Sequence, residues 1–402
     1  MPSTAAIRVM LVYGTRPEAI KMAPLVKAFA QDPRFDPRIV VTGQHREMLD
    51  QVHSFFDIKP DLDLNIHKPG QTLTQVTTRT LQGTDEAIRG FAPDAIAVQG
   101  DTSSAFAAAL AAFYHQKPVL HVEAGLRTGD IASPFPEEAN RRLIGQLTAL
   151  HLCPTAESKD NLLRENTPPE SIRVTGNTVI DALLAAVERP VPSGDERLDA
   201  AVAETSRRMV LVTAHRRESW GAPMARIGRA VARLADAFPD VVFALPAHRN
   251  PQVREALLPV LEGRANVVVT EPLEYGAICT VMNRSDLVLT DSGGIQEEAP
   301  ALSKPVLVLR ENTERPEAVE HGVARVVGTD ENRIVEEASI LLSRDDEYAK
   351  MAHAANPYGD GRACERILAA TASLFGRGEP LSDFVPHRQR ERDVTSENHA
   401  IV

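Results

Sequence analysis

Short apolar runs of four to seven residues, rich in Val, Ile and Leu, alternate with longer stretches of helical spacing along most of the chain, and this rhythm constrains the fold most. The runs fall at 7–13, 38–42, 95–99, 118–122, 149–153 and 172–175 in the first half. In the second they fall at 209–213, 241–245, 266–270, 286–290, 305–309 and 323–327. Their apolarity is continuous rather than alternating, so each predicted strand is covered on both faces, as in a parallel sheet flanked by helices. Six strands per half predict two doubly wound, Rossmann-like α/β domains, and 402 residues leave room for both. The Pro- and Gly-bearing stretch 188–196 cannot continue the helix expected at 178–187, and the boundary is placed just before that helix. The expected division is 1–177, then 178–361, then a final helix at 362–376 after the turn-rich Asn356-Pro357-Tyr358-Gly359-Asp360-Gly361. Residues 377–402 are polar and charge-dense, and a mobile tail is expected there.

Lys and Arg total 44 against 55 Asp and Glu, a net charge of −11 that argues against a nucleic-acid binder or membrane-surface protein. Aromatic residues, at 4%, leave little material for stacking bases. An anionic ligand must therefore be met by local cations. Cys153, Cys279 and Cys364 lie far apart, which supports neither a disulfide framework nor a cysteine metal site and fits a reducing cytoplasm. No apolar window is long enough for a membrane span, and no export signal is expected.

Ligands of open α/β sheets collect outside the carboxyl ends of the strands. The first strand delivers Gly14-Thr15-Arg16-Pro17-Glu18-Ala19-Ile20-Lys21, where Arg16 and Lys21 would offer positive charge to a phosphate. Gln99-Gly100-Asp101-Thr102 and His121-Val122-Glu123 each place a carboxylate at a strand end, and Glu137 opens a helix after Ser133-Pro134-Phe135-Pro136. Any one of these acids could simply cap a helix; their recurrence at neighbouring strand ends favours acid/base work. In the second half, Thr213-Ala214-His215-Arg216-Arg217-Glu218 puts an imidazole and two guanidiniums after a strand, and Ala247-His248-Arg249 repeats the arrangement. Asp291-Ser292-Gly293-Gly294-Ile295-Gln296-Glu297-Glu298 joins a strand to a helix. Its glycines let backbone N–H groups approach a diphosphate, Ser292 adds a donor, and Glu298 could accept from a ribose diol. Arg315, in the segment 310–316, could face the same phosphates.

No G-x-x-x-x-G-K-[ST], H-E-x-x-H, G-x-S-x-G or strand-linked G-x-G-x-x-G is present. Asp61-Leu62-Asp63 is the only D-x-D and lies in a loop-like segment, so no metal is called for. Taken together, the blocks at 14–21, Gln44-His45-Arg46-Glu47-Met48-Leu49, 100–102, 121–127, 136–141, Gly176-Asn177-Thr178, 213–218, 291–298 and 356–361 resemble the non-hydrolysing UDP-N-acetylglucosamine 2-epimerases over residues 7–376.

That resemblance implies the glycosyltransferase-B fold, with two Rossmann-like domains facing a central cleft and the last helix crossing back to the first domain. It implies that Ser292, Gly293, Gly294 and Glu298 hold UDP, that Arg16, Lys21 and Arg315 meet its phosphates, and that Asp101, Glu123, Glu137 and His215 work on the sugar. Arg141, Leu273 and Ile278 complete the substrate-binding set. Family members are activated by UDP-N-acetylglucosamine at a neighbouring site, for which Gln44, Gln71, Arg216 and His248 match the pattern. A homodimer is implied too. The sequence departs from the family pattern at Gly70, Gln99, Ala214 and Ile278.

The reaction has a chemical logic of its own. The C2 proton of a UDP-N-acetylhexosamine has no adjacent carbonyl, so direct deprotonation lacks a stabilised carbanion. Cleaving the C1–O bond acidifies that proton, and loss of both gives UDP and a 2-acetamidoglucal, with no redox cofactor needed. The base is expected among Asp101 and Glu137, while the division of roles among the acids stays open. The rival expectations are a 2-epimerase of a UDP-2,3-diacetamido uronic acid, a glycosyltransferase of the same fold, and a catalytically silent sugar-nucleotide sensor.

Overall fold

The structure, a computed structural model, describes residues 5–44 and 46–387, the side chain of residue 47 excepted. It divides into two compact units, Met1–Arg189 with Tyr358–Val385, and Pro190–Pro357.

The first unit holds strands β1 (Ile7–Tyr13), β2 (Phe35–Val41), β3 (Leu62–Asp63), β4 (Ala95–Gln99), β5 (Val119–Val122), β6 (Thr148–Cys153) and β7 (Ile172–Val174). Their spatial order is β3-β2-β1-β4-β5-β6-β7, and every pairing is parallel. The central strands are buried on both faces, as continuous apolarity requires. Helix Ser103–Tyr114, built largely of alanine, is thin enough to lie in the core with Met10, Val12, Ile96 and Val98 beside it. Its N-cap is Thr102, whose hydroxyl accepts from Ala105 N at 3.0 Å.

The second unit repeats the plan with β8 (Met209–Thr213), β9 (Val242–Pro246), β10 (Val267–Thr270), β11 (Leu287–Thr290), β12 (Val306–Val308) and β13 (Ala324–Val326). The order is β10-β9-β8-β11-β12-β13, again all parallel. Each sheet therefore reverses its winding once, between β1 and β4 and between β8 and β11, which are the crevices where such sheets take ligands.

Three expectations need correction. The first sheet has seven strands rather than six: the Asp61-Leu62-Asp63 segment is not wholly loop, because Leu62 and Asp63 pair with Val40 and Val41 at the sheet edge. The boundary falls after helix Thr178–Val187 rather than before it, because that helix packs on helix Arg16–Gln31 of the first unit. The final helix, Ala363–Leu374, packs on the same two helices. The mobile tail expected from residue 377 does not take in residues 383–384, since Phe384 is buried and bonded to β7; residues 388–402 lie outside the described ones. Among the described residues, no helix is long and apolar enough to cross a membrane, and no group of three or more His, Cys, Asp or Glu is placed to hold a metal.

Candidate functional site

The first cluster forms at the carboxyl ends of β1, β4 and β5. Gly14 follows β1 where a Cβ would come 1.8 Å from Thr42 Oγ1, so any larger residue must displace the Thr42 side chain. Helix Arg16–Gln31 then starts with a capping box, Thr15 at the N-cap and Glu18 at the third position. Glu18 is fully buried; its Oε2 accepts from Gly14 N at 2.9 Å and Thr15 N at 2.7 Å, and its Oε1 from the Thr102 hydroxyl at 2.6 Å. Burial outweighs these donors and raises its pKa. One turn on, Lys21 Nζ lies 2.5 Å from Glu123 Oε1, a nearly buried pair. Arg16, at the first helical position, is exposed.

Glu123 follows β5 with φ +64°, a left-handed conformation that costs a non-glycine residue about 1–3 kcal/mol and is typical of functional sites. Its carboxylate also accepts from the Gln99 amide and, at 3.4 Å, from Asn177 Nδ2. Asp101, two residues past β4, receives Arg141 through Nε at 2.9 Å and Nη2 at 2.5 Å, both on Oδ2, which leaves Oδ1 outside the pairing. Asn140 Nδ2 holds the Asp101 carbonyl at 2.9 Å. Burial raises the Asp101 pKa, Arg141 opposes the rise, and the charge on Glu123 adds to it. A carboxyl shifted upward is better able to carry a proton near neutrality.

Helix Glu137–Leu147 supplies both Asn140 and Arg141. Glu137, in its first turn and partly exposed, joins neither pairing. The neighbouring Glu138 is the buried acid, held by Arg141 at 3.2 Å, Arg142 at 2.9 Å and Thr128 N at 3.1 Å. His121, beneath the cluster, donates from Nε2 to the Gly100 carbonyl at 2.7 Å, and burial pushes its pKa down to about 4. Further along the first unit, Gln44 accepts from Ser104 Oγ at 2.8 Å and its carbonyl lies 3.1 Å from His67 Nδ1. Gln71 accepts from Arg79 at 3.2 Å.

The second cluster forms at the ends of β8 and β11. Asp291 is buried; His215 Nδ1 lies 3.0 Å from its Oδ1, and its Oδ2 accepts from His215 N at 2.7 Å and Arg216 N at 2.8 Å. Burial works to raise its pKa, but the His215 ring and the two amides prevail and hold it below the usual range. The His248 ring stacks on His215, centroids 6.0 Å apart, and burial followed by the charge on His215 lowers its pKa. Gly293 is flanked by two guanidiniums: a Cβ there would lie 3.7 Å from Arg216 Nη2 and 4.0 Å from Arg315 Nη2. Arg315 is fixed by Glu297, and Thr313 Oγ1 donates to Gln296 at 2.5 Å, which ties the 310–316 loop to helix Gly293–Glu298. Ser292 is the N-cap of that helix, yet its hydroxyl makes no cap bond. Glu298 is buried and accepts from the Tyr275 hydroxyl at 3.2 Å, in the helix that carries Ile278 and just after Leu273; burial and then the Glu298 charge raise the Tyr275 pKa well above its ordinary value.

Thus Lys21, Asp101, Glu123 and Arg141 come together in one unit, and His215, Arg216, His248, Ser292, Gly293 and Arg315 in the other. Sequence reasoning passed over Asp291 as the partner of His215, and also Tyr275; it noted Gln99 and Asn177 without giving them a role. Asp291 opened the glycine motif, but only the adjacency of β8 and β11 reveals what it holds.

A family model described as UDP-N-acetylglucosamine 2-epimerase matches residues 27–372. A UDP-N-acetylglucosamine 2-epimerase of Escherichia coli K12 is 53% identical over 368 residues, covering 90% of this chain and 98% of that protein. Its counterpart from Yersinia pestis is 52% identical over the same shares. The crystal structure of UDP-GlcNAc 2-epimerase from Neisseria meningitidis bound to UDP-GlcNAc is 44% identical, covers 91% of this chain and 100% of its own, and superposes with a TM-score of 0.80. The chain belongs to the UDP-N-acetylglucosamine 2-epimerase family.

Proposed function

We propose that the chain interconverts UDP-N-acetylglucosamine and UDP-N-acetylmannosamine by eliminating and re-adding UDP. The observation that carries the chemistry is the pair Asp101 and Glu123 at adjacent strand ends, the first with a raised pKa and the second in a left-handed backbone. In the forward direction the C1–O bond breaks with its electron pair leaving on the diphosphate, and a carboxylate takes the C2 proton. The products of this half are UDP and 2-acetamidoglucal. On return, a proton is delivered to the opposite face of C2 and a diphosphate oxygen bonds C1, which inverts the centre.

The first unit's acids, Asp101, Glu123 and Glu137, serve the sugar, with Arg141 aligning Asp101. Arg16, Lys21, Arg315 and the N–H groups at Gly293 and Gly294 stabilise the departing charge. Asp291 holds His215 through Nδ1, which leaves Nε2 to act as a proton donor or acceptor. Glu298 holds the ribose, and Leu273 and Ile278 line the base. UDP-N-acetylglucosamine as activator at Gln44, Gln71, Arg216 and His248, a homodimeric assembly and a cytoplasmic location complete the proposal.

The decisive experiment incubates the protein with UDP-N-acetylglucosamine in deuterated water and follows C2 by NMR. Deuterium at C2 in both epimers, with trace UDP and glycal, is the expected result. Turnover only with an added acceptor would favour a glycosyltransferase, turnover confined to a diacetamido uronic acid would change the sugar, and binding without turnover would refute catalysis.

A further inference from the structure

Residues 377–387 contain no helix or strand, yet part of the segment is hydrogen-bonded to a strand. Phe384 donates its N–H to the Val174 carbonyl at 2.7 Å, and the Asp383 carboxylate accepts from Val174 N at 3.1 Å. Val174 belongs to β7, the sheet's edge strand, where such groups otherwise face solvent. Lys159 Nζ fixes Asp383 at 2.8 Å, and the buried Phe384 ring lies 5.5 Å from the Arg366 guanidinium. Arg366 is locked in turn by Asp360 at 2.6 and 2.8 Å and donates to the Thr175 carbonyl at 3.2 Å.

Gly176, at φ +85°, packs against the same ring: a Cβ there would meet Phe384 Cγ at 3.7 Å. The next residue is Asn177, whose N–H is held by the Tyr358 carbonyl at 2.7 Å and whose amide reaches Glu123 Oε1 at 3.4 Å. A continuous run of contacts thus leads from the C-terminal segment to a carboxylate of the site. The family model ends at residue 372, short of this segment.

We infer that residues 383–384 form a strap that positions Asn177 and, through it, Glu123. Asn177 and Phe384 are positioning residues: neither needs to touch substrate, and each acts on the alignment of one carboxylate, to which rate is sensitive at the scale of an ångström. The inference rests on Glu123 acting in the proposed reaction.

The test compares full-length Phe384→Ala, Asn177→Ala, the double variant, Phe384→Leu and Glu123→Gln, with kcat and KM measured well below each melting temperature. Each alanine variant is expected to lose about three- to tenfold in kcat with KM changed less than about twofold, and the double variant to be no slower than Asn177→Ala. Phe384→Leu, which refills most of the apolar volume, should recover most of the rate. An unchanged kcat in Phe384→Ala, or losses that multiply in the double variant, would overturn the strap. A large loss in Glu123→Gln beside an unchanged Phe384→Ala overturns the strap alone. Full activity in Glu123→Gln overturns the assignment of Glu123 and the strap's purpose with it.

Discussion

His121 and His151 stand opposite each other on β5 and β6, both buried, and Nδ1 of each ring has no hydrogen-bond partner among the described residues. Burial, reinforced by the charge on His121 and on Arg127, moves the His151 pKa from 6.5 to about 3. In the unfolded chain the ring titrates near its ordinary value. The neutral ring therefore contributes stability that is fully present above about pH 6.5 and is lost as pH falls toward the folded value, at about 1.4 kcal/mol per pH unit. Between pH 7 and pH 5 the loss is about 2 kcal/mol. His151→Leu removes the titration while keeping apolar volume and breaking no Nδ1 hydrogen bond. Glu18, Asp101 and Asp181, whose pKa values are raised, titrate in the opposite sense, so the quantity to follow is the difference between the two proteins. Urea unfolding followed by circular dichroism at pH 7, 6 and 5 should show the stability of His151→Leu relative to the parent rising by about 2 kcal/mol across the series. Parallel pH dependences would refute the reasoning.

Asp291→Asn should lower kcat by about tenfold or more with little change in KM, because the His215 ring loses its charged acceptor while an amide oxygen still accepts a backbone N–H; steady-state kinetics decide, and an unchanged kcat would remove Asp291 from the catalytic apparatus. Gly14→Ala should destabilise the first unit by about 1–3 kcal/mol, because the added Cβ meets Thr42 Oγ1, and Thr42→Ala in the same chain should return part of the loss in urea titrations. Tyr275→Phe deletes the hydroxyl bound to Glu298 and should weaken UDP binding about fivefold by calorimetry, or about 1 kcal/mol.

The parallel sheets were legible because strands buried on both faces write themselves as unbroken apolar runs. Leu62–Asp63 escaped because two residues make no run, and its pairing depends on β2 lying alongside. Candidate ligand residues were legible wherever a strand end carried an acid, a base or paired glycines. Their partners were not, since His215 and Asp291 are 76 positions apart and meet only through strand order. The place of Lys21 after the first strand was legible, but its bond to Glu123 could not be read from a spacing of 102 residues. The tail illustrates a different limit: composition averages over the segment, whereas one ring, Phe384, decides whether its first part is held.

Each sheet carries its candidate site residues at the carboxyl-end rim, and the opposite rim, where helices return to strands, is made of connections. Gly263, in the turn between helix Pro251–Leu261 and β10, has φ +81°, and among the described residues no atom beyond its chain neighbours lies within 4 Å of where a side chain would begin. A short epitope or fluorescent label spliced in at that turn should therefore report on the enzyme in a cell extract without silencing it.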